Sequence, residues 1–221
     1  MRMRKKKNLT QRITAREHLL CKSAEESADN PYAPFGITEI QKRALRLEIG
    51  CGKGSFICEC ALQNPDIGFY AFEKMSNVIV NAMEKADCAE IQNIRFVNAD
   101  ARELAKWFKP GSFDRIYINF CDPWPKVRHT KNRLTHTAFL GVYRELLAAG
   151  GELWLKTDNE DLFDFSLHQF ADAGYTIIRS TRDLHASEYA SQNIMTEYEK
   201  NFTARGMKIH FAVAVPAAVE A

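Results

Sequence analysis

The sequence predicts an α/β fold: an open, mostly parallel sheet with helices on both faces. Three observations carry this reading. Short apolar runs and amphipathic helical runs alternate at least five times beyond Ala44. Five of the apolar runs end at or beside an acid, as expected if one crevice is lined at the carboxyl ends of parallel strands. The last two apolar runs have no good helix between them, so one antiparallel pair is expected at the sheet edge.

Residues 1 to about 40 lack strong periodicity. They carry a basic arm, with Arg2, Arg4, Lys5, Lys6, Lys7 and Arg12 all preceding the first acid, Glu17, and then "SADNPYAPFG", rich in turn formers. We read 1–40 as an N-terminal extension and 41–221 as the domain proper. The domain opens with "ALRLEIG", a short strand ending in glycine. "SFICECALQ" follows as a helix stopped by Asn64-Pro65, then "IGFYAFE" as a strand and "SNVIVNAMEKA" as a helix. "IRFVNAD" is a strand and "ARELAKWF" a helix closed by Pro110-Gly111. "FDRIYINF" is the fourth strand. "THTAFLGVYRELLAAG" is a helix with a threonine cap and a glycine stop, "GELWLKTD" a strand, and "EDLFDFSLHQFADAG" an amphipathic helix. "YTIIRST" and "MKIHFAVAV" are the last two strands, joined by a long polar connection.

With 221 residues the chain suits one large domain, and 46% hydrophobic with 26% charged residues is ordinary for a globular protein. No apolar stretch approaches the roughly 20 residues needed to span a bilayer. The basic N-terminal run lacks a following apolar core, so a secretory signal is not expected there. Six cysteines without paired spacing predict reduced thiols and a cytoplasmic protein. The six histidines make no ligand spacing with one another or with the cysteines, so no metal is predicted. Net charge is only +2, but the basic residues cluster: in the arm, and in "FCDPWPKVRHTKNRL", where Lys126, Arg128, His129, Lys131 and Arg133 follow an acid and a tryptophan set between prolines.

The loop "LEIGCGKGSF" leaves the first strand and opens the first helix. Gly50, Gly52 and Gly54 allow close approach of backbone to a ligand. Three readings stand: a plain tight turn, a dinucleotide fingerprint, and an adenosyl site. The dinucleotide spacing fails at Ser55, and Glu48 just ahead of the loop suits a cationic ligand better than a pyrophosphate. Glu73 at the end of the second strand can accept both hydroxyls of a ribose, and Asp100, ending the third, can accept from an adenine amino group. Read singly, each could be an ordinary loop acid. Together they describe a three-point clamp for an adenosyl group beside a basic loop.

The set "LEIGCGKG", "FEK", "NAD", "FCDPWPK", "KTD" and "TEYE", in this order over most of the chain, resembles the bacterial tRNA (guanine-N7)-methyltransferase family. "DPWPK" is its most specific part. The resemblance implies a Rossmann-like class I methyltransferase fold with a seven-stranded sheet and an antiparallel edge strand. It implies S-adenosyl-L-methionine as methyl donor, held by Glu48, Gly50, Gly52, Gly54, Glu73, Asp100 and Asp122. It implies tRNA as partner, with transfer to N7 of a guanine, guanosine 46 of the variable loop. It places Lys126, Asp158, Thr196, Glu197, Tyr198 and Glu199 at the substrate, and Arg128, His129, Thr130, Lys131, Asn132 and Arg133 on the RNA. Val127 and Asn132 depart from the usual pattern, which carries further basic residues there. Nothing in the motifs chooses between a monomer and a homodimer.

The rim itself follows from elementary sterics. Residues before proline are driven out of the helical region, so Asp122 and Trp124 stand in a stiff, extended segment at the end of the fourth strand. Asp122 is the catalytic candidate, its bland alternative being a turn cap. Trp124 has two readings, a base-stacking face or a side chain packed under the loop. The basic run is a phosphate-binding strip or a solvated face. "TEYE" alone reads equally well as surface helix. Two rival functions remain: a class I methyltransferase acting on an exocyclic amine or a small molecule, and a non-catalytic RNA-binding module of the same fold.

Overall fold

In the computed structural model, residues 7–21, 23–36 and 44–217 are described. The chain divides into two compact units, Met1–Ser112 and Phe113–Ala221. Seven strands form one sheet in the order β3-β2-β1-β4-β5-β7-β6.

The first unit contains β1 (Leu45–Ile49), β2 (Gly68–Phe72) and β3 (Ile94–Val97), paired in parallel with Leu45 opposite Gly68 and Phe69 opposite Ile94. Every residue of β2 is buried. This explains why "GFYAF" shows no alternation: a central parallel strand is covered on both faces. The crossovers are α3 (Ser55–Gln63) and α4 (Ser76–Cys88), whose buried stripe is Ile79, Val80, Ala82, Met83 and Ala86. After β3, the "ARELAKWF" helix is shorter than the sequence predicts. The carboxylate of Asp100 accepts from the Arg102 N–H at 3.0 Å and starts a 3₁₀ turn, Ala101–Glu103, leaving only one α turn, α5 (Leu104–Trp107).

The segment ahead of β1 is more structured than its lack of periodicity suggested. Among the described residues it holds two α-helices of six residues each, α1 (Leu9–Thr14) and α2 (Ala24–Asp29), too short to show a period. Arg12 donates to both oxygens of Glu84 on α4 at 2.7 and 2.6 Å, and Arg16 pairs with Asp87 at 3.1 Å. Leu20 bridges Phe96 beside β3, the Tyr70 hydroxyl donates to the Pro31 carbonyl, and Arg95 to that of Pro34. Arg12 of the basic cluster is therefore committed to an internal ion pair. Arg2, Arg4, Lys5 and Lys6 lie outside the described residues.

The second unit contains β4 (Phe113–Asn119), α6 (Thr137–Leu146), β5 (Leu147–Thr157), α7 (Glu160–Asp172), β6 (Tyr175–Thr181), α8 (Glu197–Thr203) and β7 (His210–Pro216). β4 and β5 pair in parallel, with Ile116 opposite Leu153. The expected antiparallel pairing is present, and β7 makes it on both sides, with β5 and with β6. The α7 crossover sets β6 two places from β5, and the long connection after β6 returns β7 into the gap between them. The cap of α6 is His136, which accepts from the Ala138 N–H, rather than a threonine; the Thr135 hydroxyl is buried against Ser166 instead. β5 takes over directly at Leu147, so "AAGG" belongs to the strand rather than to a helix stop.

Candidate active site

In the first unit the glycine loop leaves β1 with Gly50, Gly52 and Gly54 at φ values of 77°, 58° and 77°, a backbone that side chains disfavour. Their surroundings differ. A Cβ on Gly54 would lie 2.5 Å from the Ala82 Cβ, so this glycine lets α3 pack against α4. At Gly50 and Gly52 a Cβ would meet nothing within 4 Å, so both border open space. Glu73, just past β2, clamps the loop: one carboxylate oxygen accepts from the Gly52 N–H at 3.2 Å and the other from the Met75 N–H at 2.8 Å. Glu48, near the end of β1, is 2% exposed. Asp100 accepts from the Arg102 guanidinium at 3.0 and 3.1 Å and pairs with Lys74, the residue after Glu73, at 3.2 Å. Burial pushes its carboxyl up, but the Arg102 N–H, the Arg102 guanidinium and Lys74 outweigh burial and hold it at about 2. The structure thus brings Gly52, Glu73 and, through Lys74, Asp100 together.

This donor set fits an adenosyl ligand. Two positive-φ glycines border open room, an acid stands at the second strand end where a ribose diol binds, and a further acid follows β3. Cys51 in the same loop offers no nucleophile, because burial and the charges of Glu48 and Glu73 raise its thiol well above its ordinary value.

In the second unit the rim begins at Phe120, whose φ of 51° is left-handed, and Trp124 repeats this at 42°, so at Trp124 the chain leaves the right-handed helical region, as a following proline requires, by turning left-handed and not by extending. Phe120 is fastened by its N–H to the Lys156 carbonyl at 2.8 Å. Its ring stacks on Tyr198 and Phe202, with centroids 6.5 and 6.2 Å away, so the foot of the rim and "TEYE" are in contact. Asp122 is exposed, and among the described residues neither it nor half-buried Asp158 carries a side-chain hydrogen bond or ion pair. Burial first, and the Asp122 charge second, push the Cys121 thiol up to about 12, so it too is a neutral side chain.

The basic run forms an exposed 3₁₀ segment, Val127–Asn132. Trp124 stacks on His129 at 5.5 Å with an interplanar angle of 18°, and the Arg128 Nε donates to the His129 Nε2. Arg128, Lys131, Asn132 and Lys126 are exposed, and Thr130 is half-buried with its hydroxyl on the Val127 carbonyl. Arg133 stands apart from this strip: its guanidinium lies 4.3 Å over the Phe165 ring and donates to the Trp124 carbonyl, bracing the rim from within.

Thr196 and Glu199 form a capping box at the start of α8, with the Glu199 N–H donating to the Thr196 hydroxyl and the Thr196 N–H to the Glu199 carboxylate. Glu199 is fully buried, Thr196 nearly so, while Tyr198 is 60% exposed. The fragment therefore is a helix start, as its pattern allows, and it also carries a buried acid and an outward ring.

The comparisons agree with these motifs. The sequence model of a family described as "Putative methyltransferase" matches residues 42–212. A tRNA (guanine-N(7)-)-methyltransferase of Brevibacillus brevis is 48% identical over 166 residues, 75% of this chain and 78% of that protein. The chain belongs to the tRNA (guanine-N7)-methyltransferase family. Among solved structures, an antibiotic-related methyltransferase matches with a TM-score of 0.63 at 16% identity, covering 88% of this chain and 94% of that one. The 16S rRNA methyltransferase KamB matches with a TM-score of 0.61 at 14% identity, covering 84% and 94%. Those two likenesses establish the class I methyltransferase fold of this family member.

Sequence reasoning quoted Lys156 within "KTD" at the end of the fifth strand but gave it no partner, weighed His185 only as a metal ligand, and passed over Asn193. Lys156 is 4% exposed and donates to Glu199 at 2.8 Å, to the Ile194 carbonyl at 2.9 Å and to Asn193 at 3.0 Å. The His185 Nε2 lies 3.2 Å from the other Glu199 oxygen. The one local signal was a lysine in an otherwise apolar strand end, which has to find an anion. Among the described residues no group of three or more His, Cys, Asp or Glu could hold a metal ion, and no helix is long and apolar enough to cross a membrane.

Proposed function

We propose that this chain transfers a methyl group from S-adenosyl-L-methionine to N7 of a guanine in tRNA. Family membership supports the reaction, and the observation that carries the site is Asp122: an exposed carboxylate that among the described residues has no side-chain ion pair or hydrogen bond, at the end of β4. S-adenosyl-L-methionine, when bound, supplies an electrophilic methyl on a sulfonium. Gly50 and Gly52 admit its close approach, Glu73 accepts its ribose hydroxyls, Asp100 accepts from its adenine amino group once the exposed Lys74 ammonium swings off the carboxylate, and buried Glu48 with the strand-end acids favours its positive charge.

N7 of guanine has a free lone pair and loses no proton on methylation, so no general base is required. What the chain must supply is alignment and a charge that opposes the cation forming on the purine. Asp122 does both, accepting from guanine N1–H and the exocyclic amine while facing the new positive charge. Lys126 and Asp158 assist at the substrate, together with Thr196, Glu197 and Tyr198. Arg128, His129, Thr130, Lys131 and Asn132 meet the tRNA backbone. N7 lies in the deep, narrow groove of paired RNA, so the target nucleotide is freed before reaction. Guanosine 46 of the variable loop is our candidate. Residues 1–40 are an extension of a methyltransferase domain over 41–221 that works in the cytoplasm, as a monomer or a homodimer.

The test is incubation with unmodified total tRNA and labelled methyl donor, followed by digestion to nucleosides. Label in N7-methylguanosine is expected. Label on an exocyclic amine, or no transfer at all, overturns the proposal.

A further inference from the structure

We infer that Lys156 and Glu199 are a buried positioning pair that ties the Asp122 rim to the Thr196–Tyr198 segment, so that one lysine places both substrate loops. This rests on the function proposed above for the identity of the substrate.

A buried ammonium is costly unless its donors are satisfied. The three N–H donors of Lys156 have three acceptors: Glu199, Asn193 and the Ile194 carbonyl. All lie in the connection that follows β6, 37 to 43 residues downstream. The same residue's carbonyl holds the Phe120 N–H. The main chain of Lys156 thus fixes the first residue of the rim, and its side chain fixes the other loop. The stack of Phe120 on Tyr198 and Phe202 joins the two a second time, at the cost of a left-handed backbone at Phe120.

Glu199 is fully buried. A carboxylate has about four acceptor positions. Lys156, the Thr196 N–H and the Asn193 amide fill three of them, and His185 faces the fourth. Glu199 therefore acts through position rather than by contact with guanine. Tyr198, next to it and backed by two rings, is the side chain of this segment that faces outward and offers a stacking surface to a base.

The variants are Glu199→Gln, which keeps the shape of the acid, and Lys156→Met combined with Glu199→Gln, which removes both charges and leaves no buried ion unpaired. Amide exchange is expected to quicken together at Asn193–Tyr198 and at Phe120, with β1 to β3 unchanged. The KM for tRNA should rise about 10- to 100-fold, as for a misplaced binding group, while affinity for S-adenosyl-L-methionine stays at the wild-type value. Tyr198→Ala should raise KM alone but add little to the Glu199→Gln variant, because both changes remove one stacking surface. Additive effects of Tyr198→Ala and Glu199→Gln, or faster exchange in only one of the two loops, would overturn the inference. If the wild-type protein places no methyl on tRNA, the substrate assignment fails, and the exchange pattern still decides whether the loops are coupled.

Discussion

The two units place acids at the ends of parallel strands and treat them in opposite ways. In the first unit, Glu73 and Asp100 are already engaged by neighbouring N–H groups and cations. In the second unit, Asp122 and Asp158 have no such partners among the described residues, and the fixing is done underneath by Lys156, Glu199 and the aromatic stack. In our reading the difference matches the two proposed ligands. An adenosyl group presents the same few hydroxyls and amines every time, so a preset clamp suits it. A nucleotide of a large RNA must enter and leave, so its contacts are left open on a rigid mount.

The sharpest way to break this comparison is at Asp122. If its carboxylate is open because it serves guanine, Asp122→Ala should lower turnover on saturating tRNA by about 10²–10³-fold, the scale for one removed charge-stabilising group. Affinity for S-adenosyl-L-methionine should largely persist. Single-turnover methylation at the normal rate would remove Asp122 from the chemistry.

The corresponding cut in the first unit is Glu73→Ala. In our reading it removes charged hydrogen bonds to the ribose, worth about 1.5–3 kcal/mol, and it frees the Gly52 N–H. Calorimetry should show weaker S-adenosyl-L-methionine binding of that size. Unchanged affinity would mean that the clamp serves only the loop.

The same contrast explains what the sequence could reveal. The first unit's clamp is built from neighbours in the chain or from strand ends in register, so "LEIGCGKG", "FEK" and "NAD" were legible, as were the parallel strands and the antiparallel pairing near the edge. Where the reading was coarser, short-range chemistry was the cause: Asp100 capping shortened "ARELAKWF", and six-residue helices left no period ahead of β1. The glycines looked alike in sequence, yet Gly54 answers to Ala82 on another helix. In the second unit Lys156 meets Glu199 across 43 residues, and no local pattern encodes that distance. Arg133 looked like one more member of a basic strip, and only tertiary packing turned it onto Phe165.

Arg133 sharpens the comparison further, because it divides the strip into mounting and contact. Arg128 and Lys131 are exposed and meet phosphates in our reading; Arg133 braces the rim. Replacing Arg128 and Lys131 with alanine should flatten the dependence of log affinity for tRNA on log salt by about 1.4 units, at roughly 0.7 per contact. The loss should be similar for every tRNA, since phosphates carry no sequence information. Arg133→Ala should leave the slope alone and lower stability instead. A double variant with the wild-type slope would show the strip to be a solvated face.

The smallest effect is expected from titrating the preset clamp itself. Asp100 is held at about 2 in the folded chain, against about 4 for an unfolded aspartate. A depressed carboxyl stabilises the fold fully above the unfolded value and loses that contribution as pH falls through the folded one. The contribution of Asp100 should therefore fade between about pH 4 and about pH 2. Asp100→Asn keeps an acceptor for the Arg102 N–H but carries no charge for Lys74 and the Arg102 guanidinium. Melting temperatures of the two proteins should differ at neutral pH, with the wild type higher, and converge across that acid window. Curves that stay parallel down to pH 2 would show that Lys74 and Arg102 do not hold Asp100 in solution, and the first unit's clamp would then be as open as the rim of the second.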